Sequence, residues 1–328
     1  MDDGVLVVDC PPGAPGPRMR VAGMTVLERH LRDGARRGHT RAVVRAAAGD
    51  VPPLPPLPID VSFAPPDAPA PPDAEVVRGD ELLGVRLDGE RARRAVEWAL
   101  LQTCRRPYDG PGDRHVIRPI SLRITRALSR TAITPNQVTA VALALGLAAA
   151  ALAAAGGRAA TAVAGALMLA QVVLDSVDGE LSRVRHMGSQ LGMWLDNLSD
   201  DLVDNLIVAA LGAGLGGPWV AVGAAAALAR GFSAWVTYRG ARNVGRPGDV
   251  MAFRWWFEDG DTPEQAYGAT RGPLEAARAL GRRDTYMLVF GAACMAGVPQ
   301  IAFALGVANS VAYFALAAIH LIRRRGRA

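Results

Sequence analysis

The chain has 328 residues and a formal net charge of +5, and all 36 of its strongly basic side chains are arginine. Half of the residues are hydrophobic but only 5% are aromatic, and the arginines cluster beside apolar runs. That pattern fits a membrane surface and argues against a nucleic-acid partner. Cys10, Cys104 and Cys294 share no metal-type spacing, which excludes a cysteine zinc site and a disulfide framework. They read as free thiols in a reducing cytosol, and the acidic start at Met1 lacks the basic region of a signal peptide.

Residues 1–134 are rich in Pro, Arg and Asp, whereas Ala, Leu, Val and Gly dominate from Val138 onward. The shift predicts a small soluble α/β domain followed by an α-helical integral membrane domain. Residues 4–9 read as a buried strand and 10–17 as a Pro/Gly loop. Residues 24–37 have helical periodicity, with Val26, Leu27 and Leu31 apolar. Residues 40–45 and 59–63 read as strands, with one or two more in 76–87, and 51–72 as Pro-rich loops. Residues 90–104 read as a helix leading away from this domain.

Between His115 and Arg130, Ile117, Ile120, Ile124 and Leu128 fall at helical spacing, with Arg123, Arg126 and Arg130 off that stripe. This predicts a basic amphipathic helix on an anionic membrane surface, with an ordinary packed helix as the alternative. Thr134 and Pro135 provide a helix cap and first position. Apolar runs follow at 137–155, 159–178, 193–214, 217–238, 283–298 and 301–322, giving six expected spans. Domain boundaries are expected at 1–105, 106–134 and 135–328. With six alternating spans, Arg114–Arg130, Arg183, Arg185, Arg239–Arg283 and Arg323–Arg327 share one side, so both termini are expected in the cytosol.

The end of the second run and the start of the third concentrate acids. Asp175/Asp178 at i,i+3 and Asp196/Asp200 at i,i+4 each point to one face. Charges within membrane segments are expensive and mark function. Facing one another, the four carboxylates would form an all-oxygen nest for Mg2+ or Mn2+, with Ca2+ also able to occupy it. Asp201 and Asp204 are not expected to be ligands.

The spacing D-x2-D-G-x2-[A]-R-x8-G-x3-D-x3-D, from Asp175 to Asp200, resembles the signature of the CDP-alcohol phosphotransferases. Ser182 stands where that family usually has Ala. The resemblance implies transfer of a phosphoalcohol group from a CDP-alcohol to an acceptor alcohol, with release of CMP. It also implies a homodimer in the cell (inner) membrane with a cytosolic active site. It gives the metal to Asp175, Asp178, Asp196 and Asp200, and catalysis to Asp196 and Asp200, Asp200 activating the acceptor hydroxyl. It assigns the nucleotide to Gly179, Arg183 and Gly192, with Arg183 pairing a phosphate or the acids themselves, and the added hydroxyl of Ser182 would lie near the nucleotide. Residues 135–139 resemble the start of the family's first transmembrane helix, which adds Asn136 to that set.

Arg282-Arg283-Asp284 resembles the basic region that holds a phosphorylated acceptor in inositol-phosphate-using relatives, and Arg239, Arg242 and Arg254 would contribute. The alternative makes these arginines topology determinants. Residues 253–258 form an aromatic cluster, an interfacial anchor or a lid. The first 85 residues resemble the opening of a sugar-nucleotide or cytidylyl transferase. Gly13, Gly16, Arg18 and Arg20 remain of its Gly-rich loop, but the customary lysine is absent, so the domain is expected to be degenerate. The whole chain resembles the two-domain group that includes di-myo-inositol-phosphate-phosphate synthases, so CDP-inositol and inositol phosphate are candidate substrates. The alternatives are a phospholipid synthase using CDP-diacylglycerol, or a transporter with an acidic ion site.

Overall fold

The computed structural model describes residues 4–47, 49–107, 109–246, 248–256 and 281–325. It contains two compact units. The first comprises Met1–Cys104 with Arg126–Ala132 and Arg183–His186, and the second Arg105–Thr125, Ile133–Ser182 and Met187–Ala328.

In the first unit β1 (Val5–Asp9) is followed by β2 (Arg20–Val21), β3 (Met24–Thr25) and α1 (Val26–Arg36). Next come β4 (Arg41–Arg45), β5 (Asp60–Ala64), β6 (Glu75–Arg78), β7 (Glu81–Leu82), β8 (Val85–Arg86) and α2 (Glu90–Gln102). Strands β5-β4-β1-β6 form one sheet whose pairings are all parallel. Buried parallel strands read as continuous apolar runs, and Leu6, Val7 and Val8 are fully buried in β1. The Thr25 side chain accepts from the Glu28 N–H at 3.2 Å and caps α1. Leu27 and Leu31 then pack with Leu6, Val8, Ala42 and Val44.

Two buried charges join this unit's separate segments. Arg29 is 1% exposed and donates to the carbonyls of Val184 (2.8 Å) and Val21 (3.0 Å). Glu97 is fully buried and accepts from Arg126 Nε (2.9 Å), Arg130 Nη2 (2.5 Å) and the Ala22 N–H (3.3 Å). Arg126 and Arg130, expected on a lipid surface, are therefore paired with a carboxylate. A buried charge is tolerated when it is paired and hydrogen-bonded.

The second unit is helical. A π-helical turn, Asp113–Ile117, leads into α3 (Arg118–Leu128). Six helices follow at the six expected positions: α4 (Pro135–Ala155), α5 (Arg158–Val184), α6 (Gln190–Leu215), α7 (Trp219–Asn243), α8 (Arg283–Met295) and α9 (Pro299–Arg325). Helices α4, α5, α7 and α9 are long and apolar enough to cross a bilayer. Helix α6 carries the acids. Helix α8 has 13 residues, about 20 Å at 1.5 Å per residue, against a hydrocarbon core of about 30 Å. Thr134 and Gln137 form a reciprocal capping box on α4.

Helix α6 packs along α4 and α7, and α9 along α7. A Cβ on Gly165 would lie 2.5 Å from the Gly291 carbonyl oxygen, so α5 and α8 meet through small residues. Of the isoleucine stripe, Ile117 just before α3 is fully buried in the core. Arg118, Ser121, Leu122 and Thr125 are buried, while Ile120 is 45% exposed.

Candidate active site

Asp175 and Asp178 lie on the last turns of α5, and Asp196 and Asp200 on the first turns of α6. Ser189 caps α6 by accepting from the Gly192 N–H at 3.0 Å, which starts the helix where its acids can face those of α5. Asp175, Asp196 and Asp200 each offer an oxygen within 4.8 Å of the others. Asp178 is 3% exposed and accepts from Thr139 Oγ1 at 2.5 Å, outside this three-carboxylate group.

Arg283 at the start of α8 enters the group. Its Nη1 lies 2.8 Å from Asp175 Oδ2, its Nη2 2.8 Å from Asp200 Oδ1 and its Nε 3.3 Å from Asp204 Oδ1. Asp204, 2% exposed, also accepts from Arg230 Nη2 (2.9 Å) and from the Tyr286 hydroxyl. The rings of Tyr286 and Tyr313 lie 5.1 and 5.7 Å from the Arg230 guanidinium. Asp204 thus belongs to a hydrogen-bonded network with Arg230 and Tyr286.

A cavity of about 270 Å³ opens beside Asp200. Asn197, Asp201, Asp204, Arg230, Ser233, Thr237, Tyr238, Trp255, Arg283, Tyr286 and Tyr313 are among its lining residues. Its wall is rich in hydroxyls, the kind of surface that hydrogen-bonds a polyol. A groove of about 630 Å³ shares Tyr238 with it and is lined by Trp194, Trp235, Arg239, Arg242, Asn243 and Gly248. Arg239 stacks on Trp235 at 5.4 Å, and Trp194 stacks on Tyr238 at 5.5 Å. Among the described residues no carboxylate pairs with Arg239 or Arg242.

The expected nucleotide residues are partly gathered. A Cβ on Gly192 would lie 3.0 Å from Asn136 Oδ1, so these two adjoin. Ser182 Oγ lies 3.4 Å from the position of a Cβ on Gly188, and Gly179 is half-buried on α5. Arg183 belongs to the first unit. Of the expected acceptor arginines, Arg283 lines the cavity and Arg239 the groove, whereas Arg282 pairs with Asp284 at 3.2 Å. Arg254 Nη1 donates to the carbonyl of Phe253. Phe253 and Trp255 pack on His320 with ring centroids at 5.0 and 5.9 Å. Phe257 and Glu258 lie outside the described residues.

Sequence reasoning passed over Glu180. It is fully buried and accepts from Arg118 Nη1 (2.7 Å), Ser121 Oγ (2.7 Å) and Thr125 Oγ1 (2.6 Å). Arg118 also forks onto Asp109 with two bonds of 2.9 Å. Burial raises the Asp109 carboxyl, but the hydrogen bonds from Arg118 and the Arg106 amide outweigh it and hold it below the usual carboxylate range. Arg230 was also missed. A lone arginine inside an apolar run was the available signal.

Residues 132–313, more than half of the chain, match the family model described as CDP-alcohol phosphatidyltransferase. A bifunctional IPC transferase and DIPP synthase of Thermococcus kodakarensis is 33% identical over 122 residues, 37% of this chain and 27% of that protein. The protein of the same description from Rubrobacter xylanophilus is 36% identical over 175 residues, 53% of this chain and 36% of its own length. The Aquifex aeolicus one is 29% identical over 113 residues, 34% of this chain and 26% of that protein. The chain thus matches about a third or less of each relative's length.

Proposed function

The chain belongs to the CDP-alcohol phosphatidyltransferase family, and we propose that it transfers a substituted phosphate from a CDP-alcohol to an acceptor hydroxyl, releasing CMP. The observation that carries this reading is the convergence of Asp175, Asp196 and Asp200 beside a hydroxyl-lined cavity. The donor set is all carboxylate, which suits Mg2+ or Mn2+ and admits Ca2+. When bound, such an ion neutralises the diphosphate and stabilises the leaving CMP. Asp178, held by Thr139, completes the acidic face and is a fourth candidate ligand.

The protein's own groups do the rest. Asn136, Gly179, Ser182 and Gly192 of the second unit form the donor side, where glycine admits the nucleotide close to backbone. The acceptor sits in the cavity with its hydroxyl toward Asp200. That carboxylate takes the hydroxyl proton as the oxygen attacks the phosphorus bearing the donor alcohol. The new P–O bond forms, the bond to CMP breaks, and CMP leaves with the electron pair. Asp196, one turn earlier on α6, would hold the metal.

By analogy with the relatives, whose descriptions include DIPP synthase, we assign CDP-inositol as donor and inositol phosphate as acceptor. Arg239 and Arg242 in the groove and Arg283 in the cavity would meet the acceptor phosphate. Arg282, engaged by Asp284, would contribute less. The same reading places α4–α9 across the inner membrane as six spans of a homodimer. Both termini and the site lie on the cytosolic side, where the arginine bias points. Residues 1–105 form the degenerate domain, 106–134 the juxtamembrane segment and 135–328 the catalytic domain.

The test is CMP release by the purified full chain with a panel of labelled CDP-alcohols, with and without divalent ions. Metal-dependent release with CDP-inositol and inositol phosphate is expected. Release only with CDP-diacylglycerol would reassign the donor, and none with any donor would return weight to an ion-transport reading.

A further inference from the structure

Arg283 touches both halves of this site. Its two Nη atoms face Asp175 and Asp200, each at 2.8 Å, so the guanidinium bridges two of the three converging carboxylates. Its Nε faces Asp204 at 3.3 Å, and the same side chain lines the cavity beside Asp200. A guanidinium stays charged, so it gives these acids a permanent counter-charge. Asp204 is fixed independently by Arg230 and Tyr286, so it is an anchor that Arg283 can keep. Asp175 and Asp200 belong to the acidic group itself.

We propose that Arg283 is a built-in counter-cation that a divalent ion displaces. It neutralises Asp175 and Asp200 in the metal-free protein. It releases them when an ion binds, keeps Asp204, and turns its Nη donors into the cavity. The inference rests on the metal reading above. Its physical basis is competition. The oxygens that face Arg283 are those a divalent ion needs, and two cations sharing one carboxylate group repel strongly where water is scarce. The exchange makes metal loading and the binding of an anionic acceptor depend on one side chain. Such coupling is reciprocal, so the ion should tighten the acceptor and the acceptor should tighten the ion. The enzyme would then present its acceptor arginine only after the metal side is loaded.

The test is Mn2+ binding to the purified full chain in lipid nanodiscs, followed by the electron paramagnetic resonance of free Mn2+. Arg283→Gln removes the competitor and should bind Mn2+ roughly tenfold more tightly than wild type. Equal or weaker binding overturns the exchange. Asp196→Asn separates the two ideas. If it abolishes Mn2+ binding while Arg283→Gln fails to tighten it, only the exchange fails. If wild-type Mn2+ binding is absent or indifferent to Asp196→Asn, the metal reading fails and the exchange with it. Should Arg283→Gln not fold, the wild type decides by phenylglyoxal labelling mapped by mass spectrometry. Labelling at Arg283 should rise several-fold on adding Mn2+, and unchanged or reduced labelling overturns the proposal.

Discussion

Asp196 and Asp200 stand one turn apart on α6, yet their surroundings differ. Asp200 borders the hydroxyl-lined cavity, whereas Asp196 does not line it. Asp200→Asn is therefore expected to lower turnover by about 10²- to 10⁴-fold, the usual weight of a positioned base, and Mn2+ affinity by much less. Asp196→Asn should lower both together. Single-turnover rates beside Mn2+ titrations check the split, and equal effects of the two variants would remove the base role. Outside the spans, Asp113 offers a pH handle. Burial, with the Asp284 charge adding to it, pushes its carboxyl up to about 6 from 3.8. The folded state thus holds this proton more tightly than the unfolded state. The contribution to stability is full below the unfolded value and is lost as pH rises through about 6. Asp113→Asn should flatten the pH dependence of unfolding between about pH 4 and 7, by roughly 3 kcal/mol at most. Thermal melts in one detergent across that range are the measurement, and identical slopes would contradict it.

Helices were the most legible elements, because long apolar runs mark them and some runs carry a start signal. Thr134 and Pro135 before α4 are the clearest case, and the capping box forms as the residues imply. Helix α5 runs to Val184, past the apolar stretch that ends near Asp178. Its last turns are stabilised by partners far away in sequence: Glu180 by Arg118, 62 positions earlier, and the Val184 carbonyl by Arg29, 155 positions earlier. The same distance shapes the inward face of α3, where the Glu180 carboxylate gathers Arg118, Ser121 and Thr125. A local pattern cannot reveal a buried acid on another helix. The convergence of Asp175, Asp196 and Asp200 was legible because these acids share two consecutive helices, whereas Arg283 was legible as a cation but not as a partner of Asp175. Glu180→Ala tests the tie between α3 and α5. Breaking a buried, multiply bonded ion pair costs about 3 kcal/mol or more, so a clear drop in melting temperature is expected. Glu180→Gln, which keeps most hydrogen bonds, should lose less. A Glu180→Ala protein that melts like wild type would show that the network contributes little.

At the scale of the whole molecule, the first unit has a four-stranded parallel sheet but no free phosphate cradle in its Pro/Gly loop. The Gly13 N–H, which such a loop would offer to a phosphate, donates to Asp50 Oδ2 at 3.1 Å. Arg18 Nε donates to the Asp50 carbonyl at 3.1 Å, and its guanidinium faces the same carboxylate at 3.6 Å. Asp9, at the end of the central strand, is held by Arg45 Nε at 2.7 Å. The loop is thus closed by the protein's own acid, and a triphosphate would have to displace Asp50 against its own charge. The full chain given CTP and inositol phosphate should make no CDP-inositol above background. Catalytic accumulation of CDP-inositol would overturn the degenerate-domain reading. Asp50→Asn adds a sharper arm. If the closed loop alone blocks nucleotide, neutralising this residue should expose CTP binding measurable by calorimetry. If the domain lacks the remaining machinery as well, binding should appear without turnover. What this unit retains is packing: Arg29 and Glu97 bury their charges against residues 126–132 and 183–186. Deleting residues 1–85 removes Arg29 and leaves the Val184 carbonyl without its donor. The expected result is a lower yield and melting temperature, with turnover per folded molecule changed by less than about tenfold. A truncated protein that melts normally but has lost turnover entirely would instead assign this unit a direct part in the chemistry.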